Sequence, residues 1–201
     1  MGTMVGASFQ VANSPDFSDA TTVYSVDKIP YYDHTINVDT SGLYRYVICN
    51  FEGLAEFCMA EWSVYGKTDA GEETQLTGKL MGNKGILGYP SEKTIDNNRV
   101  SYFQNSLREK EQYLVLDLGK PCRITSIKFD SRSDDNRVVN GELYEVYYWD
   151  KEWVSLGKQE GANNLLIYSN VPKNALLRIH NHTRGKEHRP FTIENNRQVF
   201  W

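Results

Sequence analysis

Tyr113-Leu-Val-Leu-Asp-Leu118, Ile124-Thr-Ser-Ile-Lys-Phe129 and Tyr144-Glu-Val-Tyr-Tyr-Trp149 are short runs dense in β-branched and aromatic side chains, with Gly, Pro, Asn and Asp clusters between them. Branched and flat side chains fit a pleated surface, and successive residues of a strand point to opposite faces. No amphipathic stretch longer than about two helical turns competes with this pattern. Many short strands separated by turn residues predict an all-β sandwich or barrel.

Outward from these runs the composition narrows the possibilities. Hydrophobic residues make up 40% and charged residues 24% of the 201-residue chain, enough apolar material for a packed core. Aromatics reach 12%, with thirteen Tyr and four Trp, a richness that suits strands and also sugar-binding faces. A net charge of −4 argues against nucleic acid, whose recognition needs a basic footprint. No apolar run is long enough to cross a bilayer, so membrane insertion is not expected. The N-terminus lacks the apolar region of a signal peptide; the chain is either cytosolic or a piece whose export signal lies upstream. Cys49, Cys58 and Cys122 are an odd set in a large chain. Cys49 and Cys58 could face each other across a hairpin, but buried free thiols are the expectation.

The chain also repeats itself. Met4-Val-Gly-Ala-Ser-Phe-Gln-Val-Ala12 resembles Val138-Val-Asn-Gly-Glu-Leu-Tyr-Glu-Val-Tyr147, each a turn entering an alternating strand. Leu43-Tyr-Arg-Tyr-Val-Ile-Cys-Asn50 matches Ala175-Leu-Leu-Arg-Ile-His-Asn181, and each is followed by a Gly-bearing loop and a last aromatic strand, Ala60–Gly66 and Phe191–Trp201. Residues 1–67 are therefore read as the second half of a unit, 68–74 as a polar linker, and 75–201 as the complete unit. A half-sandwich exposes strand edges and an apolar face, so self-association through this half-repeat is expected, within the chain or between chains.

Tyr44-Arg-Tyr-Val47 followed by Ala60-Glu-Trp-Ser-Val-Tyr-Gly66 resembles the closing strand pair of discoidin (coagulation-factor type C) domains, where an "RYVR" strand precedes an "AEIEFYG" strand. Ile95-Asp-Asn-Asn-Arg-Val-Ser-Tyr-Phe103, Tyr113-Leu-Val-Leu-Asp-Leu-Gly-Lys-Pro121 and Ile124-Thr-Ser-Ile127 resemble the front half of the same family, with its "DLG" and "ITKI" patterns. The tail Tyr144–Asp150, Trp153–Gly157, Thr183–Glu187 and Phe191 is similar to a Bacteroides-type version that ends surface proteins and glycosidases, some named as chitobiases. The resemblance implies a galactose-binding-like jelly-roll β-sandwich with its binding loops gathered at one end. It places the protein at the cell surface or in the periplasm of a Gram-negative bacterium. Any catalysis would lie in an attached domain.

The loop Asp130–Val138 concentrates Arg132, Arg137, Asp134 and Asp135, forked donors beside acceptors, as sugar hydroxyls require. By position Arg132 and Arg137 resemble the family's sugar-contacting Arg; the competing reading is that Arg132 pairs with Asp134 or Asp135 to order the loop. Tyr102 and Phe103 stand where the family places an aromatic near the ligand, where a ring stacked on a pyranose is worth about 1–2 kcal/mol. Strand alternation puts one of the two in the core. Trp149 and Trp153 flank the turn Asp150-Lys-Glu152 and read as a packed hairpin pair, with a sugar platform as the alternative. Asp96, Asn98 and Ser101 match the family's structural Ca²⁺ loop, with Glu194 available from the last strand; Asn97 stands where a Gly is usual, so an Asx-type turn is the alternative. His180 and His182 share a strand face near His188 without completing an evident metal set. No nucleophile elbow, phosphate loop, dinucleotide fingerprint or zinc-protease motif is present. The chain is therefore expected to be a non-catalytic carbohydrate-binding module. The alternatives are a structural or protein-interaction sandwich, and an accessory fragment of a chitobiase-like glycoside hydrolase.

Overall fold

A computed structural model describes residues 2–30, 33–38, 41–67, 71–134, 136–195 and 197–201. The protein is all-β, built from large antiparallel sheets with β-sandwich character. It divides into two compact units, Met1–Asp135 and Asn136–Trp201.

In the first unit the strands are β1 (Ser8–Ala12), β2 (Thr21–Ser25), β3 (His34–Asn37), β4 (Tyr44–Asn50) and β5 (Cys58–Lys67). There follow β6 (Glu73–Leu76), β7 (Lys79–Gly82), β8 (Gly85–Ile86), β9 (Tyr89–Pro90), β10 (Phe103–Gln104) and β11 (Tyr113–Ser131). The two runs that read as separate strands, 113–118 and 124–129, are the halves of the single long strand β11. Its first half pairs with β4 (Leu114↔Cys49, Leu116↔Val47), its second with β5 (Ile127↔Val64, Phe129↔Trp62) and β3. The register shifts between Asp117 and Cys122. Gly119 takes a φ of 77° there, and Pro121 donates no hydrogen bond, so the strand bends without ending.

This strand decides the division of the chain. Phe9, Val11, Val47, Cys49, Trp62 and Val64 share one core with Phe103, Leu114, Leu116, Ile127 and Phe129. Residues 4–67 and 73–131 thus form one body. The boundary expected at 68–74 is instead a hairpin in which Lys67 pairs with Glu73 and Val64 with Leu76; residues 68–70 lie outside the described set. The contact boundary falls at 135/136. All three cysteines are free, and Cys49 and Cys58 are buried.

The second unit contains β12 (Leu143–Asp150), β13 (Glu152–Glu160), β14 (Leu177–Asn181), β15 (Lys186–Glu187), β16 (Phe191–Glu194) and β17 (Arg197–Phe200). Its main path runs β13-β12-β14-β16-β17. The order β13-β12-β14 reproduces β2-β1-β4 of the first unit, and the β12–β14 register matches that of β1–β4. Phe9↔Cys49 corresponds to Tyr144↔Asn181, and Val11↔Val47 to Val146↔Ile179. The entering turns match as well: Gly6 and Gly141 both have positive φ, and their N–H groups donate to Val26 O and Gly161 O at 2.8 and 2.9 Å. The core of this unit is small, with Val146, Leu177 and Phe191 buried and Tyr148, Leu166 and Ile179 partly so.

Candidate functional site

The functional groups of the first unit gather where β5 begins and β11 ends. Outward positions alternate along β5, so Glu61, Ser63 and Tyr65 face away from the core while Trp62 and Val64 face into it. Together with Thr35, Gln75, Lys128 and Asp130 they floor a cleft of about 420 Å³, walled by Ile95, Asn97 and Arg99. The Lys128 ammonium lies 4.3 Å from the Tyr65 ring centroid.

At one side of this cleft Asp130 is buried and used twice. It accepts the Asp33 N–H at 2.6 Å and pairs with Arg99 Nε at 3.0 Å, while Arg99 also pairs with the Asp33 carboxylate. Asp33 adopts a left-handed backbone (φ 56°), and the hydrogen bond to Asp130 holds that conformation in place.

At the rim lies the loop of the expected calcium ligands. The Ser101 hydroxyl lies 2.8 and 3.0 Å from the Asp96 carboxylate oxygens and 2.9 Å from the Asn98 carbonyl. The Asn98 N–H donates to Asp96 Oδ1 and Glu61 Oε1, both at 2.9 Å. Asn97 has φ 59°, the left-handed conformation that a Gly would supply, and Asn is among the side chains that tolerate it. The departure from the family pattern at this position therefore leaves the turn intact. Glu194 belongs to the second unit, where it accepts from Thr192 at 3.0 Å. The strand that brings a Glu to Asp96 and Asn98 is β5. Burial, then the hydrogen bond with Asp96, pushes Glu61 up to about 7. Burial alone would raise Asp96 too, but the bonds from Ser101, Glu61, the Asn98 N–H and Lys93 outweigh it and leave Asp96 below its ordinary value. Two carboxyls thus stand at one backbone N–H, with Glu61 the one whose charge burial disfavours, and a hard cation would relieve that cost. Asp96, Glu61 and nearby carbonyl oxygens are the right donor type for such a cation.

The predicted ligand residues separate. Arg132 lies over the Tyr102 ring, 4.0 Å from its centroid, and Tyr102 stacks on Tyr89 at 4.5 Å. Arg132 Nε donates to Asp134 at 2.9 Å. Burial and a hydrogen bond with the Tyr89 hydroxyl push the Tyr102 phenol up to about 12. Phe103, the neighbour of Tyr102, leaves the ligand set: it is fully buried, paired with Met59 and packed near Phe51 and Phe57. Arg137 belongs to the second unit, where its carbonyl accepts the Tyr144 hydroxyl at 3.5 Å. Asp135 lies outside the described residues.

His180 and His182 each meet a carboxylate, Glu187 at 2.8 Å and Glu145 at 2.7 Å. Among the described residues no group of three or more His, Cys, Asp or Glu could hold a metal, and no helix is long and apolar enough to cross a membrane.

Comparison with known proteins adds nothing to this geometry. No family model, curated protein or solved structure matches the chain. The resemblance to discoidin domains rests on the residues quoted above. Of the residues at the site, Glu61 stood in a quoted strand but was read as part of a separate half-unit. Arg99 stood in the quoted segment Ile95–Phe103 without a role assigned to it, and Asp33 and Tyr89 carried no motif.

Proposed function

We propose that the first unit is a non-catalytic carbohydrate-binding module, a galactose-binding-like jelly roll that carries an attached enzyme or surface protein to glycans. One observation carries the reading: a guanidinium stacked on Tyr102 and tethered to Asp134, beside the exposed edge of Tyr89. The stack holds flat apolar ring surface next to donors fixed in direction, and a pyranose presents CH groups on its face and hydroxyls on its edge. Pairing to Asp134 orders the fork before a ligand arrives, so less entropy is lost on binding. Calcium at Asp96 and Glu61 would relieve the cost of the Glu61 charge and stiffen the rim. The expected setting is the cell surface or periplasm of a Gram-negative bacterium, with a chitobiase-like glycosidase as one possible parent.

The test is a glycan array read with the folded chain and with Arg132→Ala. Binding to a defined sugar class that the variant loses, at unchanged melting temperature, supports the module. A folded chain that binds no glycan, or an Arg132→Ala variant that binds as well as the parent, turns the reading toward a structural or protein-interaction sandwich.

A further inference from the structure

The repeat allows one sheet face to be compared in two settings. In β1 and β4 the face opposite the main core carries Ala12, Tyr46 and Ile48, all buried. It is covered because the connection between β1 and β2, residues 13–20, folds back and sets Phe17 edge-on against Tyr46 and Tyr113 at 5.5 and 5.6 Å. In β12 and β14 the matching positions hold Tyr147, Arg178 and His180. The connection that would cover them is reduced to Lys151, in a left-handed turn between Asp150 and Glu152. The strands run on instead, and their extension adds the cross-strand pair Trp149↔Trp153 to the same face.

The result is a row of rings, with Leu176 opposite Trp149, whose N–H donates to the Leu176 carbonyl at 3.0 Å. Arg178 lies 4.7 Å from the Tyr147 centroid and 4.8 Å from that of Trp153. Trp149 meets Trp153 edge-on at 5.3 Å and remains 49% exposed. The charges on this face are matched locally: Arg178 faces Glu187 at 3.4 Å and Lys158 faces Glu145 at 4.0 Å, while His180 and His182 lie against the same two carboxylates. A packed hairpin explains why Trp153 is covered. It does not explain why the ring-bearing strands were lengthened while the covering loop was lost.

We infer that this face of the second unit is a separate binding surface for a neutral carbohydrate chain. The exposed Trp149 and the half-buried Tyr147 and Trp153 beside it offer stacking area to sugar rings, and Arg178, His180, His182, Glu145 and Glu187 supply donors and acceptors to hydroxyls at the flank. Local charge balance disfavours a polyanion, which would meet Glu145 and Glu187, and the charged and polar groups set among the rings disfavour a lipid or an apolar helix. The surface shares the ligand class of the first unit's proposed site but none of its residues, so each can fail alone.

Affinity electrophoresis of the full chain through gels holding a neutral β-glucan, mannan or galactan tests it, with Trp149→Ala, Trp149→Phe and Arg132→Ala alongside and heparin as the charged control. In the Arg132→Ala background, which removes the first unit's proposed site, retardation by a neutral polysaccharide is expected to persist, weakened on the order of tenfold by adding Trp149→Ala and largely kept with Trp149→Phe. Because Trp149→Ala can disturb the hairpin, quenching of the parent's tryptophan emission by the retarding polysaccharide is a second readout that needs no mutation. No retardation and no quenching by any neutral polysaccharide overturns the proposal. So does retardation that Trp149→Ala leaves unchanged, or retardation by heparin alone. Retardation lost only in Arg132→Ala places the activity in the first unit and likewise overturns it.

Discussion

Glu61 keeps its proton to about pH 7 because it is desolvated beside Asp96, and that gives the fold a pH signature. Unfolded, the group releases its proton near 4.5, its ordinary value. Between about 4.5 and about 7 the folded chain binds more protons than the unfolded one, so stability falls as pH rises through that window. Glu61→Gln is expected to flatten this slope and to melt above the parent at pH 8, as followed by circular dichroism at pH 5 and pH 8. Added Ca²⁺ should raise the parent's melting temperature more at pH 8 than at pH 5 and leave Glu61→Gln nearly unmoved. A parent insensitive to Ca²⁺ at both pH values would remove the metal from this site. The same scale separates two glycines. A Cβ on Gly82 would stand 2.2 Å from the Tyr113 carbonyl, whereas one on Gly53 meets nothing within 4 Å, and both have positive φ. Gly82→Ala should therefore destabilise by about 3 kcal/mol or more and Gly53→Ala by only about 1 kcal/mol, read from urea midpoints.

Among the elements, β11 does the joining. Leu114 and Leu116 pack under one sheet, Ile127 and Phe129 under the other, and the bend at Gly119 lets one strand serve both. Leu116→Ala and Phe129→Ala are expected to lose about 2–5 kcal/mol each in chemical denaturation, since each opens a cavity in a shared core. The Arg45–Asp117 pair at the bend has good geometry, with contacts of 2.7 and 2.9 Å, but Arg45 is largely exposed. Its removal should change stability by no more than about 1 kcal/mol. The strand runs of β11 were legible because alternation is local. That the two runs are one strand was not, since Gly119 and Pro121 read as a terminating turn until β4 and β5 are seen on either side of them.

For the whole molecule, one strand order is used twice with unequal support. β1 and β4 rest on a core that draws on β5, β10 and β11, whereas β12 and β14 rest on Val146, Leu177 and Phe191. Amide exchange should therefore be at least tenfold slower in β1 and β4 than in β12 and β14, although their pairings match residue for residue. Equal protection would mean that the second unit has support beyond its own core.

By itself the sequence determined the all-β class, the positions of the main strands and the repeat. Each follows from spacing along the chain: side-chain alternation, turn residues and recurring patterns act within a few residues. Only the tertiary structure decided that residues 4–67 join 73–131, that Glu61 meets Asn98, and that Arg132 and Arg137 fall in different units. It also settled which of Tyr102 and Phe103 turns inward. Those outcomes depend on which strand lies beside which, and hydrophobic burial, having no direction along the chain, leaves that choice to the packing of distant segments.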